Sequence, residues 1–290
     1  MEQFRTEDGR TLSYRREGAG RSLVCHPGGP GFSSRYFADL AGLGERFTLV
    51  LLNPRGTEGS DRASDPRAYA TEDYVADLDQ LRRHLGLERL LLLGHSHGGV
   101  VAQAYAARHP DRVERLVLAS TLARFHAEQE AAMQAAIDRK KGEAWFEDAL
   151  AALEAEQAGQ WGSDAELADL ALREFPFYFA SYGDHERAYL RTVDGEIPCG
   201  DALKLFNNEV FTTFDLRPEL ARITSPTLVI TGENDFICGP VSAQELADGI
   251  VGAQLELLAD CGHFVFVEQP ERFAEAVAAF LAGAASPAAA

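Results

Sequence analysis

The chain has 290 residues, of which 46% are hydrophobic and 25% charged, as in a soluble globular protein with a large core. Its formal charge of -18 repels phosphate backbones and anionic lipid headgroups, which argues against nucleic-acid and membrane-surface partners. No segment approaches the roughly 18 apolar residues of a membrane span, and the N-terminus lacks a signal-peptide pattern. Four scattered cysteines without C-x-x-C spacing indicate reduced thiols, so we expect a cytoplasmic protein.

Short β-type runs alternate with helix-like segments along most of the chain. The β-type runs begin at Thr11, Ser22, Phe47, Arg89, Arg115, Thr227 and Gln254. Helix-like segments begin at Thr71, Gly99 and Pro270. Several of the β-type runs are apolar at consecutive positions, as in strands that are covered on both faces. This alternation predicts an α/β fold with a mainly parallel sheet flanked by helices.

The alternation fails in residues 122–216, which are rich in Ala, Glu, Leu and Gln and contain no strand-like run. We therefore predict a helical cap inserted at 122–216 into a core of residues 1–121 and 217–283. The last stretch, AGAASPAAA, consists of small residues and a proline. We expect residues 284–290 to form a flexible tail.

Residues 94–99 read GHSHGG and contain the pattern G-x-S-x-G, directly after an apolar β-type run and before a helix. In that setting a sharp turn exposes a serine hydroxyl above the sheet, so Ser96 is the candidate nucleophile. An ordinary glycine-rich turn is the alternative. His95 and His97 are covalent neighbours of Ser96 on a tight turn, and their side chains should diverge from its hydroxyl.

A serine nucleophile needs a base and an acid that orients the base. His263 lies in DCGHFVF, after the last β-type run, and is the candidate base. Asp235 in TGENDF follows the preceding run and is the candidate acid, with Glu233 as a competitor that leaves the strand two residues earlier. His26, at the end of an earlier run, is expected to organise its own loop.

Acyl transfer also needs two donors for the oxyanion that forms at the attacked carbonyl. The backbone N–H of His97, directly after the nucleophile, is one candidate. Gly29 in the segment HPGGPG is the other, because glycines let the backbone approach a substrate closely. A plain proline-glycine turn is the alternative for this segment.

The segments HPGGPG, NPRGTEGSD, GHSHGG, TGENDF and DCGHF resemble the α/β-hydrolase superfamily, and within it the proline iminopeptidase group. The resemblance spans the chain from Leu12 to Leu281 and implies an α/β-hydrolase fold with a helical cap. It implies a serine hydrolase that cleaves a small amide or ester through an acyl-enzyme, foremost an aminopeptidase that releases N-terminal proline. A carboxylesterase or lactonase acting on a small apolar ester is the alternative. A non-hydrolytic member of the same fold, a binding protein or a lyase, is a second class, although binding alone does not require a triad and an oxyanion loop together.

The resemblance also indicates where substrate would bind. The peptidases tend to carry a glutamate just after the catalytic aspartate, and cap glutamates that hold the ammonium group of the substrate. This chain has Phe236 at the first of these positions, and Phe236 is therefore a candidate substrate-binding residue that cannot hold an ammonium group. Glu209 approximately matches a cap position and Glu186 is a second candidate, although either is also typical of a solvated helix. Tyr178, in an aromatic stretch of the cap, is a candidate for an apolar pocket or for the cap's own small core.

The sequence gives no reason to expect a metal or another cofactor. His95 and His97 stand two residues apart without a carboxylate or cysteine at ligand spacing. Neither a phosphate loop nor a dinucleotide fingerprint is found. We expect a small-molecule or short-peptide substrate as the partner.

Overall fold

A computed structural model describes residues 1–283, so the tail predicted at 284–290 lies outside the described residues. Eight strands form one sheet in the order β1-β2-β4-β3-β5-β6-β7-β8. The strands are β1 (Glu2–Arg5), β2 (Thr11–Gly18), β3 (Arg21–His26), β4 (Phe47–Asn53), β5 (Leu90–His95), β6 (Val113–Ala119), β7 (Thr227–Gly232) and β8 (Gln254–Leu258).

The sheet is mainly parallel, as predicted. Strands β1 and β2 pair antiparallel at one edge, and β2 pairs antiparallel with β4, whereas all pairs from β4 to β8 are parallel. Every predicted strand is present, and β1 is an addition. Its sequence EQFR is too short and polar to give a strand pattern, and it is held through pairing with β2.

Helices connect the strands and fill the insertion. They are α1 (Thr71–His84), α2 (His97–Arg108), α3 (Ala127–Asp138), α4 (Phe146–Gln157), α5 (Asp164–Glu174), α6 (Asp184–Val193), α7 (Gly200–Leu205), α8 (Arg217–Leu220), α9 (Pro240–Gly249), α10 (Val265–Glu268) and α11 (Pro270–Leu281). None of the helices among the described residues is long and apolar enough to cross a membrane.

The central strands are buried on both faces, which explains their consecutive apolar residues. In β5, Leu90 and Leu92 belong to one apolar cluster, while Leu91 and Leu93 belong to the cluster on the other face. Such a strand stabilises the fold through burial on both sides at about 25 cal/mol for each Å² of apolar surface. The α/β-hydrolase fold class predicted from the sequence is confirmed.

Five helices, α3 to α7, lie between β6 and β7, in the segment predicted as a cap. The two ends of this segment meet, because Arg124 and Asp215 form an antiparallel bridge and the N–H of Leu216 donates to the carbonyl of Ala123 at 2.9 Å. The insertion therefore leaves and rejoins the core at neighbouring points. The division into core and cap stays a prediction.

Candidate active site

Ser96 lies on the sharp turn between β5 and α2, with a φ of 55° and a ψ of -126°. The flanking glycines allow this turn to pack. A Cβ on Gly94 would lie 2.3 Å from the carbonyl oxygen of Gly98, and one on Gly98 would lie 2.1 Å from that of His26. Real side chains do not tolerate such distances, so the pattern G-x-S-x-G follows from the close approach of this turn to its neighbours.

Asp235 and His263 form a buried hydrogen-bonded pair, in which His263 Nδ1 and Asp235 Oδ2 are 2.9 Å apart. The other oxygen, Oδ1, accepts the backbone N–H groups of Ile237 and Cys238, each at 3.0 Å. Burial alone would raise the pKa of Asp235, but His263 and these two donors outweigh it and hold the pKa below its usual value. An ionised Asp235 keeps the proton of His263 on Nδ1 and leaves Nε2 as a base.

Ser96 and His263 line one cavity of about 840 Å³, a volume that includes its opening to solvent. The backbone of Gly28 packs directly against Ser96, since a Cβ on Gly28 would lie 2.6 Å from Ser96 Cβ. The apolar part of the lining consists of Phe32, Leu167, Ala168, Ala171, Leu172, Phe175, Val193, Leu203 and Phe264, with Tyr36 and Tyr178 beside them. Much of the cavity wall is therefore apolar, and its size suits a small substrate.

The predicted oxyanion donors belong to two separate elements. His97 opens α2, so its N–H belongs to the first turn, whose donors have no partner within the helix. Gly29 lines the cavity and has a φ of +111°, a conformation that favours glycine. Gly29 thus shares a cavity with Ser96, His97 follows Ser96 directly at the start of α2, and their role as oxyanion donors stays a prediction.

Neither histidine beside Ser96 is free to act as its base. Both ring nitrogens of His95 have hydrogen-bonding partners, and burial lowers its pKa to about 3. The ring of His97 packs against Tyr74 and Phe206, and burial lowers its pKa to about 3 as well. Both therefore stay neutral near pH 7.

The four predicted substrate-binding residues lie in different places. Tyr178 lines the cavity, and its carbonyl accepts the N–H of His263 at 2.7 Å. Phe236 is buried and packs edge-on against Tyr178 with the ring centroids 4.8 Å apart. It supports the cavity wall, and its ring is not part of the described lining.

The two predicted glutamates are also placed away from the described cavity lining. Glu186 is buried and accepts the N–H of Gly183 at 2.7 Å, which caps the start of α6. This role follows from the preference of helix N-termini for carboxylates. Glu209 is exposed on a π-helical turn after α7. The structure does not bring either carboxylate to Ser96.

Three other carboxylates line the cavity and were missed from the sequence: Glu156, Glu174 and Glu196. Glu174 is buried, and its Oε2 has no hydrogen-bond partner among the described residues. Glu156 accepts from Asn207 Nδ2 at 3.0 Å, and Glu196 accepts from the N–H of Ser33 at 2.5 Å. Glu174 is the first residue of the aromatic-rich stretch EFPFYF, and this stretch was the one sequence signal that could have drawn attention to it.

Burial disfavours the charge on all three carboxylates. It raises the pKa of Glu174 well above its usual value, and the charge of Glu156 raises it further. The pKa values of Glu156 and Glu196 are raised for the same primary reason. The described lining contains no lysine or arginine, and of the three carboxylates Glu196 has its pKa partly lowered by a nearby cation, Arg35.

Asp235, Cys238 and His263 bring possible metal-ligand atoms within 4.8 Å of one another. Burial raises the pKa of the Cys238 thiol well above its usual value, which favours the neutral thiol over a thiolate ligand. Asp235 and His263 already share a hydrogen bond. The donor set therefore favours an acid–histidine pair over a metal centre.

Comparisons with known proteins agree with this geometry. The family model for the alpha/beta hydrolase fold matches residues 21–270. Proline iminopeptidase PfmaB from Pestalotiopsis fici is 30% identical over 93% of this chain and 95% of its own, and a Clostridium botulinum proline iminopeptidase is 29% identical over 88% and 87%. The enol-lactonase from Burkholderia xenovorans has a TM-score of 0.74 and 27% identity, covering 97% of this chain and 100% of its own. The chain therefore belongs to the α/β-hydrolase fold family and is a hydrolase that resembles the proline iminopeptidases.

Proposed function

We propose that this hydrolase removes a small N-terminal residue, with proline as the leading candidate, from short peptides or amides. Ser96 is the nucleophile, His263 the general base and then acid, and Asp235 the residue that orients His263. The buried Glu174 carboxylate in the cavity of Ser96 carries the proposal, because it offers an unpartnered oxygen to an ammonium group.

In the first half of the reaction, Ser96 Oγ bonds to the substrate carbonyl carbon while its proton passes to His263 Nε2. The N–H groups of Gly29 and His97 stabilise the negative oxygen of the tetrahedral intermediate. The carbon–nitrogen bond then breaks, and the leaving amine takes the proton from His263. The acyl group of the substrate remains as an ester on Ser96.

In the second half, His263 takes a proton from water as the water oxygen bonds to the ester carbon. The bond to Ser96 Oγ breaks, and the proton returns from His263 to the serine. The products are the free acid and the amine. Asp235 stays ionised throughout, which is supported by its lowered pKa.

A positively charged substrate fits the cavity for an electrostatic reason. A carboxylate that is buried among apolar side chains either takes up a proton or binds a cation. An N-terminal ammonium beside Glu174 would form a charge-assisted hydrogen bond and favour ionisation of the carboxyl. The apolar remainder of the lining suits a compact ring such as that of proline.

The alternative is a small apolar ester or lactone, which the likeness to the enol-lactonase favours. Such a substrate has no cation and gives Glu174 no binding role. The two proposals share Ser96, Asp235 and His263 and differ in what the carboxylates do. A reducing compartment such as the cytoplasm suits either, since all four cysteines are free and buried.

Replacing Glu174 with glutamine distinguishes the two proposals, because only the ammonium substrate gives Glu174 a binding role. We expect the wild-type protein to release naphthylamine from proline β-naphthylamide. Glu174→Gln should lower kcat/KM for that substrate at least tenfold more than for p-nitrophenyl acetate, because a hydrogen bond to a charged group contributes about 1.5–3 kcal/mol. Steady-state kinetics on both substrates provide the measurement.

Glu154→Gln is the matched control, since Glu154 is an exposed carboxylate on α4. It should leave the ratio of the two activities within twofold of the wild-type ratio. Rapid hydrolysis of p-nitrophenyl acetate without release from the proline substrate would refute the aminopeptidase and leave the esterase or lactonase.

A further inference from the structure

His95 has no role in the proposed mechanism, although it is buried beside Ser96 with both ring nitrogens hydrogen-bonded. Its Nε2 is 3.0 Å from the carbonyl oxygen of His263. A carbonyl only accepts, so Nε2 carries the proton and Nδ1 is an acceptor. Nδ1 is 2.8 Å from the hydroxyl of Tyr36, which must therefore donate to it.

The hydroxyl of Tyr36 continues this chain to the opposite side of the site. It accepts the backbone N–H of Gly28 at 2.6 Å. One line of hydrogen bonds thus runs from Gly28 through Tyr36 and His95 to the carbonyl of His263. We call these four residues the Tyr36–His95 bridge.

We infer that Tyr36 and His95 are positioning residues that hold the Gly28–Gly29 backbone and the main chain of His263 in fixed relation to Ser96. The inference rests on the proposed acyl transfer at Ser96. It assigns a role to the first histidine of GHSHGG and to a tyrosine that no sequence motif marks.

The proposed oxyanion loop at Gly28 and Gly29 needs such a support because glycines allow many backbone conformations. Gly28 and Gly29 have no side chains to pack, and Gly29 has a φ of +111°. Pro27 and Pro30 on either side have no N–H to donate. The hydrogen bond from Gly28 to Tyr36 fixes the peptide that precedes the proposed oxyanion donor, within contact of Ser96.

The other end of the bridge fixes the base. The main chain of His263 is held from two sides, by Tyr178, which accepts its N–H, and by His95, which donates to its carbonyl. Tyr36 is itself anchored to the cap, because its carbonyl accepts the hydroxyl of Tyr189 on α6 at 2.5 Å. Oxyanion loop, base and cap are thereby connected.

Burial protects the hydrogen bonds of the Tyr36–His95 bridge and keeps both side chains neutral. Tyr36 and His95 are 6% and 1% exposed, so water competes little for their hydrogen bonds. Burial also holds the pKa of His95 at about 3 and that of Tyr36 well above its usual value. Both stay neutral near pH 7, which preserves the acceptor at Nδ1 and the donor at the hydroxyl.

Tyr36→Phe tests the inference, since it removes one oxygen and keeps the ring. We expect the rate of covalent labelling by a fluorophosphonate to fall about tenfold, less than the 10²–10³ that follows loss of an oxyanion donor. For p-nitrophenyl acetate, kcat should fall by a similar factor while KM stays within twofold. Inhibition by phenylboronic acid, which forms a tetrahedral adduct with the serine, should weaken in parallel.

Tyr105→Phe is the matched control, because Tyr105 is a buried tyrosine whose hydroxyl bonds Asp79 away from the site. It should lower stability without changing labelling by more than twofold. His95→Asn keeps an acceptor near the position of Nδ1, so its labelling rate should lie closer to that of the wild type than the rate of His95→Phe.

Three results would overturn the inference: labelling of Tyr36→Phe within twofold of the wild-type rate, a loss no larger than that of Tyr105→Phe, or an effect confined to KM. Failure of the wild-type protein to react with the fluorophosphonate would instead refute acyl transfer at Ser96. The two failures are distinguishable because the second involves no variant.

Discussion

At the scale of single residues, the carboxylates of the cavity distinguish this site from a purely apolar ester pocket. Glu156 and Glu174 are buried close enough for the charge on one to raise the pKa of the other. Such a pair titrates as a unit, and its second ionisation is costly without a nearby cation. The same arrangement that favours an ammonium substrate should therefore reduce the stability of the free protein at high pH.

Glu156→Gln should stabilise the protein at pH 8 and have little effect at pH 4.5. The folded pKa of Glu156 is raised above its ordinary value of 4.5, so the folded state binds more protons than the unfolded state above that pH. Stability from this group is present at low pH and is lost as pH rises. Glutamine removes the titration and still accepts from Asn207. Thermal melts should show Tm rising by about 2–4 °C for each kcal/mol gained.

The exposed Glu154 on the same helix provides the comparison, since Glu154→Gln should raise Tm at pH 8 by less than Glu156→Gln does. If Glu156→Gln changed Tm by the same amount at pH 4.5 and at pH 8, burial of the Glu156 carboxylate would not reduce stability in a pH-dependent way.

At the scale of elements, the segment predicted as a cap contacts the candidate base, His263. The 3₁₀ turn Phe175–Tyr178 presents the carbonyl of Tyr178 to the N–H of His263. Glu268 in α10 accepts an N–H group from each of the two segments that meet here, that of Gly262 at 2.7 Å and that of Ala180 at 2.8 Å. Two segments that are far apart in sequence are thus joined beside the candidate base.

Gly262→Ala should disturb this junction. A Cβ at Gly262 would lie 2.4 Å from the carbonyl oxygen of Tyr178, so the two backbones would have to separate. We expect kcat for p-nitrophenyl acetate to fall at least tenfold with a lower Tm, because His263 loses its hydrogen bond to Tyr178. Steady-state kinetics and thermal melts provide the measurement.

Gly44→Ala is the matched control, since its Cβ would meet its nearest neighbours at an ordinary 3.8 Å. It should leave kcat within twofold of the wild-type value. A kcat for Gly262→Ala that matches the control would mean that the cap junction does not position His263.

At the scale of the whole molecule, the sheet could be predicted from the sequence because strands and turns leave local patterns in it. Buried strands such as β5 are continuous apolar runs, and the turn at Ser96 needs glycines at fixed spacing. The acid and base could be chosen because each follows a strand whose end reaches the same edge of a parallel sheet. Their catalytic roles stay predictions, while the bond between Asp235 and His263 is present in the structure.

The cavity lining could not be predicted in the same way. A glutamate on a cap helix has the same local pattern whether it faces solvent or a cavity, and only the packing of α4 and α5 brings Glu156 and Glu174 inward. Glu209 and Glu186 had comparable sequence surroundings and lie elsewhere. Tyr36 is in a short turn that no motif marks, and its partners are contributed by distant segments.

The central claim is that Ser96 is the nucleophile of a hydrolase, and covalent labelling tests it most directly. A fluorophosphonate should react with the wild-type protein in one position, which mass spectrometry of its peptides locates at Ser96. Labelling should disappear in Ser96→Ala and persist in Ser225→Ala, whose buried hydroxyl has no hydrogen-bond partner among the described residues. Labelling of Ser96→Ala at the wild-type rate, or a modified peptide without Ser96, would contradict the account.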